Sequence, residues 1–349
     1  MKRAGPGVGA EQPAGIALAD KVEFLRATAS YPAERPEQVE ARETHMSWVF
    51  LTRRFAYKLK KPARHPRVDL RALDARRRNC LREIRLNRRL APDVYLAVEP
   101  VTFAADPGLQ LAGDGDAVEW LVRMRRLPDE LMLDRALRYG GPERRDLDRI
   151  VMRLARFYGG LAPEPVPPET RRAWLEDEIR LSRRELGRPA FARDSTLVDR
   201  VAGHLIDFAR ARPQVLIERH RAGRIVEGHG DLRPEHICLE REPVVIDCLE
   251  FSRKLRLVDP ADEMAFLALE CAMQGEPEAG ERLQRSYETM TGDRPPEQLI
   301  AWYTGCRALL RARLSALHSR EPGARPPEAW LAQADRYLDV ALGYSDLLA

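Results

Sequence analysis

A chain of 349 residues, 44% hydrophobic and 32% charged, can bury a sizeable core, which excludes disorder or a fibrous repeat over its whole length. Its 58 basic and 54 acidic residues leave a net charge of +4, too near balance to argue for wholesale nucleic-acid binding. No window approaches the roughly 20 uninterrupted apolar residues of a membrane helix: the most apolar stretch, Ala261 to Met273, carries Asp262, Glu263 and Glu270.

Residues 1–18 are rich in Gly, Ala and Pro and read as a flexible leader without the apolar segment of a secretory signal, so a cytoplasmic location is expected. The five cysteines are odd in number and show no C-x-x-C spacing, which points to reduced thiols rather than disulfides or a zinc knuckle. A short helix is expected from Ala19 to Ser30. Thr44 to Leu51 and Phe55 to Lys60, joined by Thr52-Arg53-Arg54, read as a β-hairpin. From Leu70 to Leu90 the spacing of Leu70, Leu73, Leu81, Ile84, Leu86 and Leu90 predicts a helix with one buried stripe. Strands are expected over Tyr95–Phe103 and Ala117–Met124. Beyond Pro128 the pattern turns helical, at Asp146–Tyr158, Glu169–Leu186, Ser195–Ala211 and from Asp262 onward, with one β island at 224–250. The order gives an α+β chain of two lobes, a β-rich one with one helix at 19–127 and a mainly helical one at 128–349, with a ligand cleft expected between them.

The densest chemical signal is Glu227-Gly228-His229-Gly230-Asp231-Leu232, followed sixteen residues after Asp231 by Asp247 at the end of Val244-Val245-Ile246. Two carboxylates at the ends of short strands suit phosphoryl transfer, one to orient or deprotonate the attacking hydroxyl and one to hold a metal ion against phosphates. The alternative is an ordinary turn and a strand cap. A second signal is compositional: the chain has six lysines against 52 arginines, yet Lys58, Lys60 and Lys61 fall together. A lysine kept in an arginine-writing chain suggests that a compact ammonium is needed, although surface lysines also cluster by chance. Third, Glu83 is the only acid between Asp74 and Asp93 and is placed to pair with a strand lysine. A solvated surface pair is its alternative. Asp259 before Pro260 reads as a helix cap.

Taken together, Thr44–Phe50 (THMSWVF), Tyr57–Pro62 (YKLKKP), Leu86–Pro92 (LNRRLAP) and His229–Leu232 (HGDL) resemble the aminoglycoside phosphotransferase family, within the protein-kinase-like fold, and in particular a poorly characterised bacterial branch of it. The resemblance covers roughly residues 40 to 275. It implies ATP and Mg²⁺ as cofactors. Lys58 would contact the phosphates with Glu83 as its partner, and Lys60 would replace Lys58 if the register slipped. Ser47, at the end of Thr44–Ser47, would lie over the phosphates, and Met124 and Arg125 would open the adenine-facing hinge. Asp231 would be the catalytic base, with His229 counted beside it, and Asp247 the metal ligand.

Three departures from the family stand out. His236 occupies the position of a metal-binding Asn, which points to weaker Mg²⁺ binding, a shift toward Mn²⁺, or reliance on Glu235. No glycine occurs between Glu43 and Leu51, and Asp247 is followed by Cys248-Leu249-Glu250 instead of an aromatic-glycine pair. Residues 42–92 hold 16 basic residues and four acids, whereas 262–300 hold three basic residues and nine acids. The first stretch would attract ATP, and lacks the interleaved aromatics of a nucleic-acid surface. The second is compatible with a cationic acceptor. The expected activity is transfer of the γ-phosphate of ATP to a hydroxyl of a small molecule. The alternative is a weakly active or inactive nucleotide-binding module acting through a protein partner. The branch often carries a P-loop ATPase domain, and since G-x-x-x-x-G-K-[ST] does not occur in the sequence, such a partner is expected as a separate chain.

Overall fold

The structure is a computed structural model describing residues 16–65, 67–106, 108–191, 195–321 and 325–349. Most of the expected leader lies outside the described residues, and Leu18 already opens a helix. The chain forms two compact units, the first ending at Leu127 and the second starting at Pro128.

The first unit is built on strands β1 (Glu40–Glu43), β2 (Ser47–Leu51), β3 (Phe55–Lys60), the two-residue ladder β4 (Arg64–His65) and β5 (Val68–Asp69), then β6 (Tyr95–Ala104), β7 (Gly108–Leu111) and β8 (Asp116–Arg125), with helices α1 (Leu18–Arg26) and α2 (Leu73–Asn87). Six of the strands make one antiparallel sheet in the order β1-β2-β3-β8-β6-β7. Side chains alternate along β3, so Tyr57 and Leu59 face one side while Ala56, Lys58 and Lys60 face the other. The Tyr57 side is dry: Phe50, Leu59, Val101, Leu121 and the α1 residues Val22 and Leu25 close one core there. The lysine side receives α2. The helix starts at Leu73, later than its leucine spacing suggests, and Leu81, expected on the buried stripe, is 49% exposed. Its buried face is partly polar, with Arg76, Asn79, Glu83 and Asn87 beside Cys80, Ile84 and Leu86. A stripe drawn from leucines alone therefore misses the face that meets charged partners.

The second unit carries helices α3 (Leu133–Arg138), α4 (Arg144–Gly159), α5 (Pro168–Leu186), α6 (Ser195–Ala211), α7 (Pro213–Arg221), the short α8 (Arg253–Arg256), α9 (Pro260–Met273), α10 (Pro277–Thr291), α11 (Glu297–His318) and α12 (Pro327–Asp346). Leu205, Phe266, Leu299, Trp302 and Tyr337 lie in its main core. Four two-residue strands interrupt the helices: β9 (Val226–Glu227), β10 (Ile237–Cys238), β11 (Val244–Val245) and β12 (Leu257–Val258). β10 pairs with β11, whereas β9 pairs with β12, a strand beyond the expected island. Asp259 caps α9 as expected, its Oδ1 accepting from the Ala261 amide at 2.9 Å.

Candidate functional site

In the first unit, Glu83 lies between two lysines. Lys58 Nζ stands 2.9 Å from Oε1, and Lys60 Nζ pairs with Oε2. The Glu83 side chain is fully enclosed, and those of Lys60 and Lys58 are 2% and 14% exposed. Of the two ammonium groups on this buried carboxylate, that of Lys58 is the one nearer solvent. Ala56 and Met124 are register partners, as are Lys58 and Val122, so an apolar strip runs beside the lysines on the same face. Arg125 turns instead to Asp93, at 2.6 Å.

Ser47 is the register partner of Lys60 and begins β2. The turn before it closes without glycine because Thr44 Oγ1 donates to the Ser47 carbonyl at 2.9 Å and accepts from the Ser47 amide at 3.0 Å. The Ser47 hydroxyl is buried and has no hydrogen-bond partner among the described residues.

In the second unit, the two glycines around His229 are set by close packing. A Cβ on Gly228 would stand 2.4 Å from Glu263 Oε2 and 2.5 Å from Val258 Cγ2. Gly230 has φ +91°, and a Cβ there would meet Leu249, Arg256 and the Leu255 carbonyl at 3.1–3.2 Å. The glycines let Glu263 approach the main chain, where its carboxylate accepts from the His229 amide at 2.8 Å and the Gly230 amide at 2.6 Å. The Tyr158 hydroxyl donates to the same group at 2.7 Å. Burial pushes the Glu263 carboxyl above its ordinary value, against the pull of these donors and of Arg307.

His229 is completely enclosed. Its Nε2 lies 2.9 Å from the Ile246 carbonyl, and its Nδ1 accepts from the Asp231 amide at 3.3 Å. Those partners place the proton on Nε2. Burial and the neighbouring His236 push its pKa down to about 4, so the ring is neutral at physiological pH. His229, counted with Asp231 as catalytic from the sequence, ties the Asp231 main chain to the segment leading into Asp247 through its two ring nitrogens.

Asp231 and Asp247 flank His236. His236 Nδ1 lies 2.9 Å from the Asp231 main-chain carbonyl and 3.9 Å from Asp231 Oδ2, while Nε2 lies 3.6 Å from Asp247 Oδ2. A ring nitrogen facing a carbonyl must carry the hydrogen, so Nδ1 donates to the Asp231 carbonyl while Nε2 is turned toward Asp247. Asp247 has φ +60°, one of three non-glycine residues with positive φ among those described. Asp tolerates this conformation better than most, yet it still carries strain, a common mark of functional positions. Donors about 2.1 Å from a common cation stand no more than about 4.2 Å apart, so His236 Nε2 and Asp247 Oδ2 fit one divalent ion. Arg233 fills in around them: it donates to Asp231 Oδ2 at 3.1 Å, to Glu235 Oε1 at 2.5 Å, and stands 3.3 Å from His236 Nε2. Burial opposes ionisation of Asp231, but the charges of Arg233, His236 and Arg311 outweigh it and hold the carboxyl below its ordinary value.

Glu263 and Arg233 carry this arrangement and were not singled out by the motif. The signal for Glu263 was an acid inside the most apolar segment of the chain, since a buried acid needs partners.

No protein-family model matches the chain. It is similar to the uncharacterized protein Rv2004c of Mycobacterium tuberculosis and to Mb2027c of Mycobacterium bovis, each 32% identical over 320 residues, which is 89% of this chain and 61% of theirs. The chain thus spans about three fifths of the length of these curated relatives. Among solved structures, a choline/ethanolamine kinase family protein from Mesorhizobium loti gives a TM-score of 0.53 at 14% identity, covering 95% of this chain and 100% of that one. A choline kinase from Cryptosporidium parvum Iowa II gives 0.52 at 12% identity, covering 94% and 96%. At these identities the likeness is one of fold, and the chain has the α+β protein-kinase-like fold of these proteins.

Proposed function

We propose that this chain is a phosphotransferase that moves the γ-phosphate of ATP to a hydroxyl of a small molecule. The observation that carries the reading is the set Asp231, His236 and Asp247, two carboxylates on either side of one imidazole at 3.9 and 3.6 Å. Asp231, ionised at neutral pH, accepts a hydrogen bond from the acceptor hydroxyl and takes its proton as the oxygen–phosphorus bond forms and ADP leaves. Lys58 takes phosphate oxygens, with Glu83 fixing its direction. Asp247 and His236 are the residues that would hold a divalent cation, Mg²⁺ or Mn²⁺, whose charge offsets that of the phosphates. Glu263 and His229 keep the Asp231 main chain in place. The names of the fold relatives make the amino alcohols choline and ethanolamine the first acceptors to try, and a cationic acceptor agrees with the acidic 262–300 stretch.

The test is ADP release by the purified chain over a panel of hydroxylated small molecules with each cation, beside Asp231→Asn and Asp247→Asn. Turnover is expected with at least one acceptor and falls by about 10²–10⁴-fold in Asp231→Asn. Turnover untouched by both substitutions, or no ATP binding with either cation, overturns the assignment. Metal-dependent ATP binding without turnover across the panel favours a nucleotide-binding module that acts through a partner, a reading that Arg233's hold on Asp231 Oδ2 supports.

A further inference from the structure

A second charged cleft lies in the helical unit, on residues that the proposed reaction does not use. Arg172, Glu176 and Arg180 stand four residues apart along α5 and so form one stripe. With Ala173, Arg210 near the end of α6 and Pro213 at the start of α7, they line a cavity of about 580 Å³. Its hub is Glu176, whose side chain is 5% exposed. Arg172 Nη1 donates to Oε1, Arg180 Nη2 donates to Oε2, and Arg210 adds Nη2 at 3.1 Å and Nε at 3.3 Å on Oε2. Arg180 Nη1 also reaches Asp177 at 3.1 Å, a pair exposed to water. Both Glu176 oxygens are thereby taken, while Arg172 Nη2 and Arg210 Nη1 have no hydrogen-bond partner among the described residues. A guanidinium offers donors and no acceptor, and the lining residues carry two more positive charges than negative. Such a wall selects a group that only accepts and carries about two negative charges, as a phosphate monoester does. The planar fork of arginine matches its oxygens two at a time. The volume falls within the roughly 300–1,000 Å³ of small-molecule pockets and admits the organic part of the ester as well.

We infer that this cleft of α5, α6 and the start of α7 is a second ligand site, one that binds a small phosphate monoester through Arg172, Arg180 and Arg210, with Glu176 holding the three guanidiniums in place. The inference goes beyond the phosphotransferase reading and does not depend on it, and its test uses no nucleotide, acceptor or divalent cation. The full chain is titrated at low ionic strength with glycerol 3-phosphate and, separately, with inorganic phosphate, each followed by ³¹P nuclear magnetic resonance of the ligand. The wild type is expected to bind the ester at least as tightly as inorganic phosphate, and added salt to weaken both. Arg172→Gln and Arg210→Gln, at partly exposed positions where the fold tolerates the change, are each expected to lose at least about tenfold in affinity for the ester. Arg183→Gln, on α5 but paired with Asp199 and outside the lining, removes the same charge and is expected to bind as the wild type does. Lys58→Ala, which removes the other candidate phosphate contact, is likewise expected to leave ester binding unchanged. No ester binding at millimolar concentrations, an affinity unchanged in both Arg172→Gln and Arg210→Gln, an equal loss in Arg183→Gln, or inorganic phosphate bound while the ester is not, overturns the inference. A loss confined to Lys58→Ala overturns it as well, by assigning the phosphate to the lysine face, and leaves the phosphotransferase reading standing.

Discussion

With its ring enclosed and both nitrogens engaged by main-chain groups, His229 resists a proton that a free imidazole would accept. Burial and the neighbouring His236 bring its pKa down to about 4, whereas the unfolded chain's imidazole titrates near 6.5. Between those values the unfolded state binds the extra proton. The contribution of His229 to stability is therefore complete above pH 6.5 and is lost as the pH falls toward 4, reaching about 2 kcal/mol at pH 5. His229→Gln, which offers an amide donor and acceptor in place of the ring, removes that dependence. Urea unfolding at pH 7 and pH 5 should show the wild type losing about 2 kcal/mol more than the variant over this interval; parallel losses in the two proteins would refute the enclosed, neutral ring. Asp231 shifts in the same direction, and its contribution to stability is likewise lost as the pH falls. Its carboxyl is held below its ordinary value, burial being outweighed by Arg233, His236 and Arg311, so the ionised form required of an acceptor of protons persists well into acid.

At the scale of the element, the loop from Glu227 to Leu232 depends on two glycines with different tasks. Gly228 makes room for the Glu263 carboxylate, and Gly230 adopts φ +91° while Leu249 and Arg256 close in. Gly230→Ala combines strained backbone with contacts that cannot all give way, and a loss of more than about 2 kcal/mol of unfolding free energy is expected. Gly108→Ala also meets a positive φ, at +93°, but faces open space and serves as the control for backbone strain alone. Equal losses in the two variants would mean that packing around Gly230 contributes nothing. The glycines, the two carboxylates and the hairpin from β2 to β3 were legible in the sequence because each is local: alternation over six residues, or a fixed spacing of a few. What was not legible needed partners distant in the chain. β9 pairs with β12, thirty residues on, and two-residue strands carry no period. β1 reads Glu-Ala-Arg-Glu, an exposed edge strand whose charges keep other chains from adding to it and erase the apolar alternation by which strands are found. The buried face of α2 is partly polar, with Glu83 meeting two lysines and Arg76 meeting Glu119, so the leucine spacing pointed Leu81 inward when it is half exposed.

Across the molecule, arginine and lysine are divided by geometry. Arg219 forks onto Asp259 and Asp293, Arg307 onto Asp262 and Arg76 onto Glu119, two-pronged contacts that a planar guanidinium makes and an ammonium does not. Lysine is kept where point charges share one carboxylate, as Lys58 and Lys60 share Glu83, and that pair lies in the first unit while Asp231, His236 and Asp247 lie in the second. Nucleotide binding is therefore tested on each unit by itself. A ligand bound to either unit stabilises that unit against local opening by RT ln(1 + [L]/Kd), about 2.7 kcal/mol at a hundredfold excess over Kd. Hydrogen exchange followed by mass spectrometry is the measurement that resolves the two. ATP with Mn²⁺ is expected to slow exchange in β3, which carries Lys58, and in residues 229–247, and Asp247→Asn to weaken the protection of residues 229–247. Protection confined to β3 and indifferent to Asp247→Asn would mean that the lysine face binds nucleotide by itself, and the carboxylates of the second unit would need another substrate.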